Sequence, residues 1–122
     1  MSKKLEKAIP NYNLVSGVNA DEKECVLKFS MCDSKHTLYE LNQKELKEFI
    51  KFAKKVETTK WKDIKNDKGL KYEKLSNINT PSNISNDVVI RSMRLSNKFR
   101  IIGYRDKEYF YIVWFDNNHE EC

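Results

Sequence analysis

The stretch from Asp87 to His119 leaves this chain the fewest ways to fold. It holds three runs rich in β-branched and aromatic residues, broken by Ser96-Asn97 and Asp106-Lys107. Such residues suit a pleated, half-buried surface, and short polar breaks suit hairpin turns, so the pattern predicts a three-strand antiparallel meander. If each break is the tip of a two-residue loop, the register follows. Gly103 then faces Phe110, Ile101 faces Ile112, and Phe99 faces Trp114. These residues, with Val88 and Ile90, form one apolar face. The other face collects Arg91, Met93, Arg100, Ile102, Tyr104, Tyr109, Tyr111 and Val113. The first reads as a core wall, the second as a basic and tyrosine-rich surface. A loop with an odd number of residues would reverse one strand.

The preceding half supplies what covers that wall. Cys25, Leu27, Phe29 and Met31 alternate with Val26, Lys28 and Ser30, which predicts a half-buried strand. Turn chemistry at Cys32 to Lys35 and a return over Thr37 to Leu41 predict a hairpin. Asn42 is an N-cap with Glu45 placed to complete a capping box. Leu46, Phe49, Ile50, Ala53 and Val56 then form one helical stripe. Thr58 or Thr59 is expected to cap a short second helix through Trp61 and Ile64, stopping near Asp67 to Gly69. Leu70 to Leu75 reads as a further strand. Residues 76–86, rich in Asn and Ser and containing Pro81, read as a linker or a functional loop. The predicted class is α+β: an antiparallel sheet, made of the meander and the N-terminal hairpin, packed on one long and one short helix.

With 122 residues, the chain is expected to form a single domain. Its 39% hydrophobic and 34% charged residues suit a globular chain, and its net charge of +5 suits an acidic partner such as nucleic acid. No run approaches a membrane span, so a cytoplasmic protein is expected. There is no glycine-rich phosphate loop, no His-Glu-x-x-His and no Gly-x-Ser-x-Gly, so neither cofactor nor metal is expected. Cys32 with His36 and His119 with Cys122 are short chelating pairs. The long gap between the pairs weighs against zinc.

What remains is chemistry for phosphates and bases. Arginine holds phosphate bidentately, and tyrosine stacks on unpaired bases. Cleavage of RNA by its own 2′-hydroxyl needs a proton acceptor, a donor and a cation at the phosphate. Arg100, His119 and Tyr104 are residue types that serve those roles. Arg91, Arg94, Lys98, Arg105, Tyr109 and Tyr111 are the candidate nucleic-acid contacts.

The order of long helix, short helix and three-strand meander resembles the RelE/HigB/YoeB group of toxin–antitoxin ribonucleases. Phe99-Arg100-Ile101-Ile102-Gly103-Tyr104 is similar to the group's arginine-bearing strand, and His119 lies where several members carry a catalytic histidine or tyrosine. Tyr111 to Glu120, with its Trp-Phe-Asp-Asn-Asn-His-Glu, also looks like the tail of small bacterial and phage proteins of this fold. The resemblance covers Leu41 to His119, leaving an N-terminal extension of about 20–40 residues. Where members often place an aromatic after the terminal histidine, this chain has Glu120. The resemblance implies a metal-independent endoribonuclease cleaving mRNA, in some members at the ribosome, with Arg100 on the phosphate and an antitoxin as protein partner. The alternative is a non-catalytic phage or mobile-element protein whose RelE-like fold binds a protein or nucleic acid.

Overall fold

The computed structural model describes residues 19–33, 38–76 and 78–117. The elements are β1 (Val26–Lys28), α1 (Gln43–Val56), α2 (Trp61–Ile64), β2 (Glu73–Lys74), β3 (Ile90–Arg94), β4 (Arg100–Asp106) and β5 (Tyr109–Asp116), with one-turn 3₁₀ helices at Ala20–Glu22 and Leu38–Glu40. The five strands form one mixed sheet in the order β1-β5-β4-β3-β2. β2 with β3, β3 with β4, and β4 with β5 pair antiparallel. β1 lies parallel to β5, Leu27 beside Phe110.

The parallel edge corrects the expectation of an all-antiparallel sheet with an N-terminal hairpin. Residues 38–40 make a 3₁₀ turn instead of a return strand, and Ser34 and Lys35 of the expected turn at Cys32 to Lys35 lie outside the described residues. A parallel partner demands a long crossover, and α1, α2, β2, β3 and β4 all fall between β1 and β5.

The meander's register also differs in three places. Asp106 pairs with Tyr109, so the β4–β5 tip is Lys107-Glu108 and not Asp106-Lys107. β5 slides by two residues and keeps its faces, with Gly103 opposite Ile112 and Ile101 opposite Phe115 in place of the expected Phe110 and Ile112. The other two differences move side chains to the opposite face. Leu95 N–H donates to the Phe99 carbonyl at 2.8 Å, so the β3–β4 connection is Ser96-Asn97-Lys98. That loop is odd, and β3 is reversed relative to the expectation. Met93 joins the helix-side core, and Arg91 moves with it from the expected tyrosine face to lie over Tyr72, while Ile90 and Val88 pack on the opposite side. In β5, Ile102 pairs with Trp114 but Gly103 pairs with Ile112. Val113 is the extra residue of a β-bulge, and the side chains beyond it exchange faces. Trp114 therefore leaves the expected wall and Phe115 takes its place. Phe99, Ile101, Phe110 and Ile112 share the helix-side core as expected.

Two cores result, one on each face. On the first, Phe49, Phe52 and Val56 of α1 and Trp61 and Ile64 of α2 cover Met93, Phe99, Ile101, Phe110, Ile112 and Phe115. On the second, Ile84, Leu75, Ile78 and Val88 pack with Ile90, Ile102, Val113 and Trp114. The stretch read as a linker or a functional loop thus brings Ile78 and Ile84 onto the sheet's second face. Trp114 Nε1 donates to Asp33 Oδ2 at 2.9 Å, which satisfies the one polar atom of that ring.

α1 begins as its sequence predicts. Glu45 N–H donates to Asn42 Oδ1 at 2.8 Å, and Asn42 N–H donates to Glu45 Oε1 at 2.9 Å. Asn42→Ala should cost about 1 kcal/mol, read as a shifted urea midpoint with unchanged slope. The apolar stripe is rotated from the expected one: Phe52 is buried, while Leu46 and Ile50 are 38% and 53% exposed. Thr58 and Thr59 do not cap α2. Their hydroxyls donate back to the carbonyls of Lys54 and Lys55 at the end of α1, and Lys60 occupies the N-cap of α2. No helix among the described residues is long and apolar enough to cross a membrane.

Candidate functional site

Strand alternation decides which polar side chains meet. On the second face Tyr104 of β4 lies opposite Tyr111 of β5, and their rings stack at 5.1 Å and 15°. Tyr109 leans on Tyr111 at 6.5 Å, and Lys28 of β1 lies over the Tyr109 ring at 5.5 Å. A row of three half-buried tyrosines with a cation at its far end therefore crosses β4 and β5. The expected facing of all three is correct.

Tyr104 also lines a groove of about 740 Å³ at the start of β3 and the end of β4. Lys65, Tyr72, Arg91 and Arg105 line it too, with Asp87 and Asp106 on its wall. Arg91 lies over the Tyr72 ring at 5.1 Å and Arg105 over Trp61 at 4.3 Å. Asp21 ties Arg105 Nη2 and Lys65 Nζ together, each at 2.5 Å. The Lys65 ammonium and then the Arg105 guanidinium, both hydrogen-bonded to Asp21, hold its carboxyl below the usual carboxylate range. Arg105 is fixed as one wall of the groove by these contacts.

Burial, with Tyr111 and Asp106 as neighbours, pushes the Tyr104 phenol above its ordinary value. Burial does the same for Tyr72. Both stay protonated at neutral pH, which suits hydrogen-bond donation and stacking and opposes a role as proton acceptor.

The expected catalytic trio is not assembled by the described residues. Arg100 is only 8% exposed, and its Nε donates to Asp116 Oδ2 at 3.1 Å. It lines a separate recess of about 200 Å³ with Lys71, Glu73, Ser92, Arg94 and Asn97, at the other end of the β3–β4 ladder from Tyr104. His119 lies outside the described residues, as do His36 and Cys122 of the chelating pairs. Among the described residues no group of three His, Cys, Asp or Glu side chains is placed to hold a metal. Lys98 is exposed on the β3–β4 loop, away from the groove. Of the nine candidates, Tyr104, Arg91 and Arg105 converge on the groove, and Tyr109 and Tyr111 extend from it.

Lys28, Lys65, Tyr72 and Asp21 were not legible as members of this site. Lys28 alternates outward on β1, but only the parallel pairing with β5 brings it to the tyrosines. No family model, curated protein or solved structure matches the chain.

Proposed function

We propose that this protein binds single-stranded RNA through the tyrosine row and the arginine groove. The observation that carries the reading is Tyr104: one ring both stacks on Tyr111 and lines the cleft formed with Arg91 and Arg105. Aromatic platforms accept any base by stacking, and adjoining cations hold the backbone without reading sequence. The net charge of +5 favours the encounter.

Support for a RelE-like relationship is the order of long helix, short helix and, after the two-residue β2, the β3-β4-β5 meander, an argument by fold analogy. The mRNA-cleaving activity it implies places Arg100 on the scissile phosphate. Burial of Arg100 against Asp116 puts binding ahead of catalysis.

Fluorescence anisotropy with a labelled single-stranded RNA tests the reading. Tyr104→Ala should weaken binding by about 1–3 kcal/mol, the usual worth of one stacked base. Arg91→Ala should weaken it across sequences and lower the salt slope by roughly 0.7 for each phosphate it no longer neutralises. Affinity unaffected by either change at low salt would refute the platform. Shortened RNA in the same samples would restore the nuclease reading.

A further inference from the structure

α1 presents two different surfaces, and the described residues pack on one of them. Phe49, Phe52 and Val56 enter the core. Its two glutamates are engaged elsewhere: Glu45 caps Asn42 and accepts from Asn117 Nδ2, and Glu48 accepts from the Ser96 hydroxyl. The outer side keeps a shallow groove of about 540 Å³ lined by Gln43, Leu46, Lys47, Ile50, Lys51 and Lys54. Two solvent-exposed aliphatic side chains thus sit among three lysines, with no acid in the lining among the described residues. Exposed leucine and isoleucine in register with each other mark a surface that gains by being covered.

We propose that this outer face of α1 docks an acidic amphipathic helix from a partner protein. An incoming helix lays leucine-type residues at i, i+3 and i+4 over Leu46 and Ile50, with its flanking carboxylates on Lys47, Lys51 and Lys54. Charge selects among the occupants. A second copy of this face would set lysines against lysines. The chain's own first residues carry Lys3, Lys4 and Lys7 against a single Glu6. A membrane surface offers the right charge, but only Leu46 and Ile50 are placed to enter it, since the other large apolar residues of α1 are in the core. The tyrosine row and arginine groove involve none of these six residues.

The test uses the full chain and a synthetic helix of about five turns, leucine on one stripe and glutamate on its flanks, with a lysine-flanked twin. Binding is followed by anisotropy and by amide shifts of the labelled protein. The glutamate helix should bind and shift amides within residues 43–54, and the lysine twin should not. Ile50→Asp should weaken binding by about tenfold or more. Lys47→Glu with Lys51→Glu should transfer preference to the lysine twin. Ile50→Asp should leave thermal unfolding and RNA affinity nearly unchanged, which separates this surface from the proposed RNA site. The double charge swap, which lowers the net charge of +5 by two at each lysine, is read on helix preference alone. Equal binding of both helices, or no shift within 43–54, overturns the proposal. So does Ile50-dependent binding to phosphatidylserine vesicles with no binding to the glutamate helix.

Discussion

Gly103→Ala is expected to prevent stable folding, although it adds one methyl group to a strand. Gly103 sits in β4 opposite Ile112, beside the bulge made by Val113. A Cβ built on it would overlap the Tyr111 carbonyl oxygen, with the Tyr111 carbonyl carbon at 2.9 Å and the Phe110 ring at 3.0 Å. The obstacle is mostly backbone, and backbone here is held by the longest ladder in the sheet. No described glycine has a positive φ, so close approach, not conformational freedom, is the reason for glycine at this position. Relief requires parting β4 from β5, which carry Ile101, Ile102, Phe110 and Ile112, all fully buried. The cost should exceed about 4 kcal/mol, in the range reserved for severe lesions. Gly69→Ala is the control: its nearest neighbour is the flexible Asp67 carboxylate at 3.2 Å, and stability should change by less than about 1 kcal/mol. Circular dichroism and urea unfolding of the two variants decide it. A folded Gly103→Ala protein of near-native stability would mean the bulge lies elsewhere.

That bulge also explains what the sequence could and could not reveal. Features written in neighbouring residues were legible: the Asn42–Glu45 capping box, the strand character of 90–116, and the common burial of Phe99, Ile101, Phe110 and Ile112. Features that depend on counting across a turn were not. One added residue in the β3–β4 loop moved Met93 to the helix side and Ile90 away from it, and one at Val113 moved Trp114. α1 was ambiguous because apolar residues occupy two adjoining stripes. The sheet chose Phe49, Phe52 and Val56, and left Leu46 and Ile50 outside. The parallel pairing of β1 had no local signal at all. The candidate site followed the same rule. Tyrosines 104, 109 and 111 were placed by alternation, whereas the carboxylates that fix Arg105 and Arg100 come from Asp21 and Asp116, far along the chain.

Asp116→Ala should destabilise the protein by about 3–5 kcal/mol, because it removes a buried carboxylate that accepts from a buried guanidinium. Arg100 and Asp116 face each other across β4 and β5, with side chains 9% and 2% exposed. Under the register expected from two-residue hairpins, Arg100 would have lain opposite Val113 with its guanidinium turned toward a phosphate. The hairpin tip at Lys107-Glu108, which slides β5 by two residues, and the one-residue bulge together bring Asp116 to it instead. Arg100→Ala should be comparably damaging, since it takes the guanidinium away from a carboxylate that is 2% exposed. Loss of any activity in that single variant would therefore report unfolding as readily as chemistry. Replacing both with apolar residues of similar volume, Arg100→Met with Asp116→Leu, removes the charges together and should recover most of the stability. Urea unfolding of the two singles and the double gives the coupling between the residues directly. The double variant then separates the two uses of Arg100. If the pair only holds β4 to β5, the refolded double variant binds single-stranded RNA like the native chain, through Tyr104 and Arg91. If RNA affinity falls while stability is restored, the recess lined by Arg94, Lys71 and Arg100 takes the phosphate, and the tyrosine row is not the principal site.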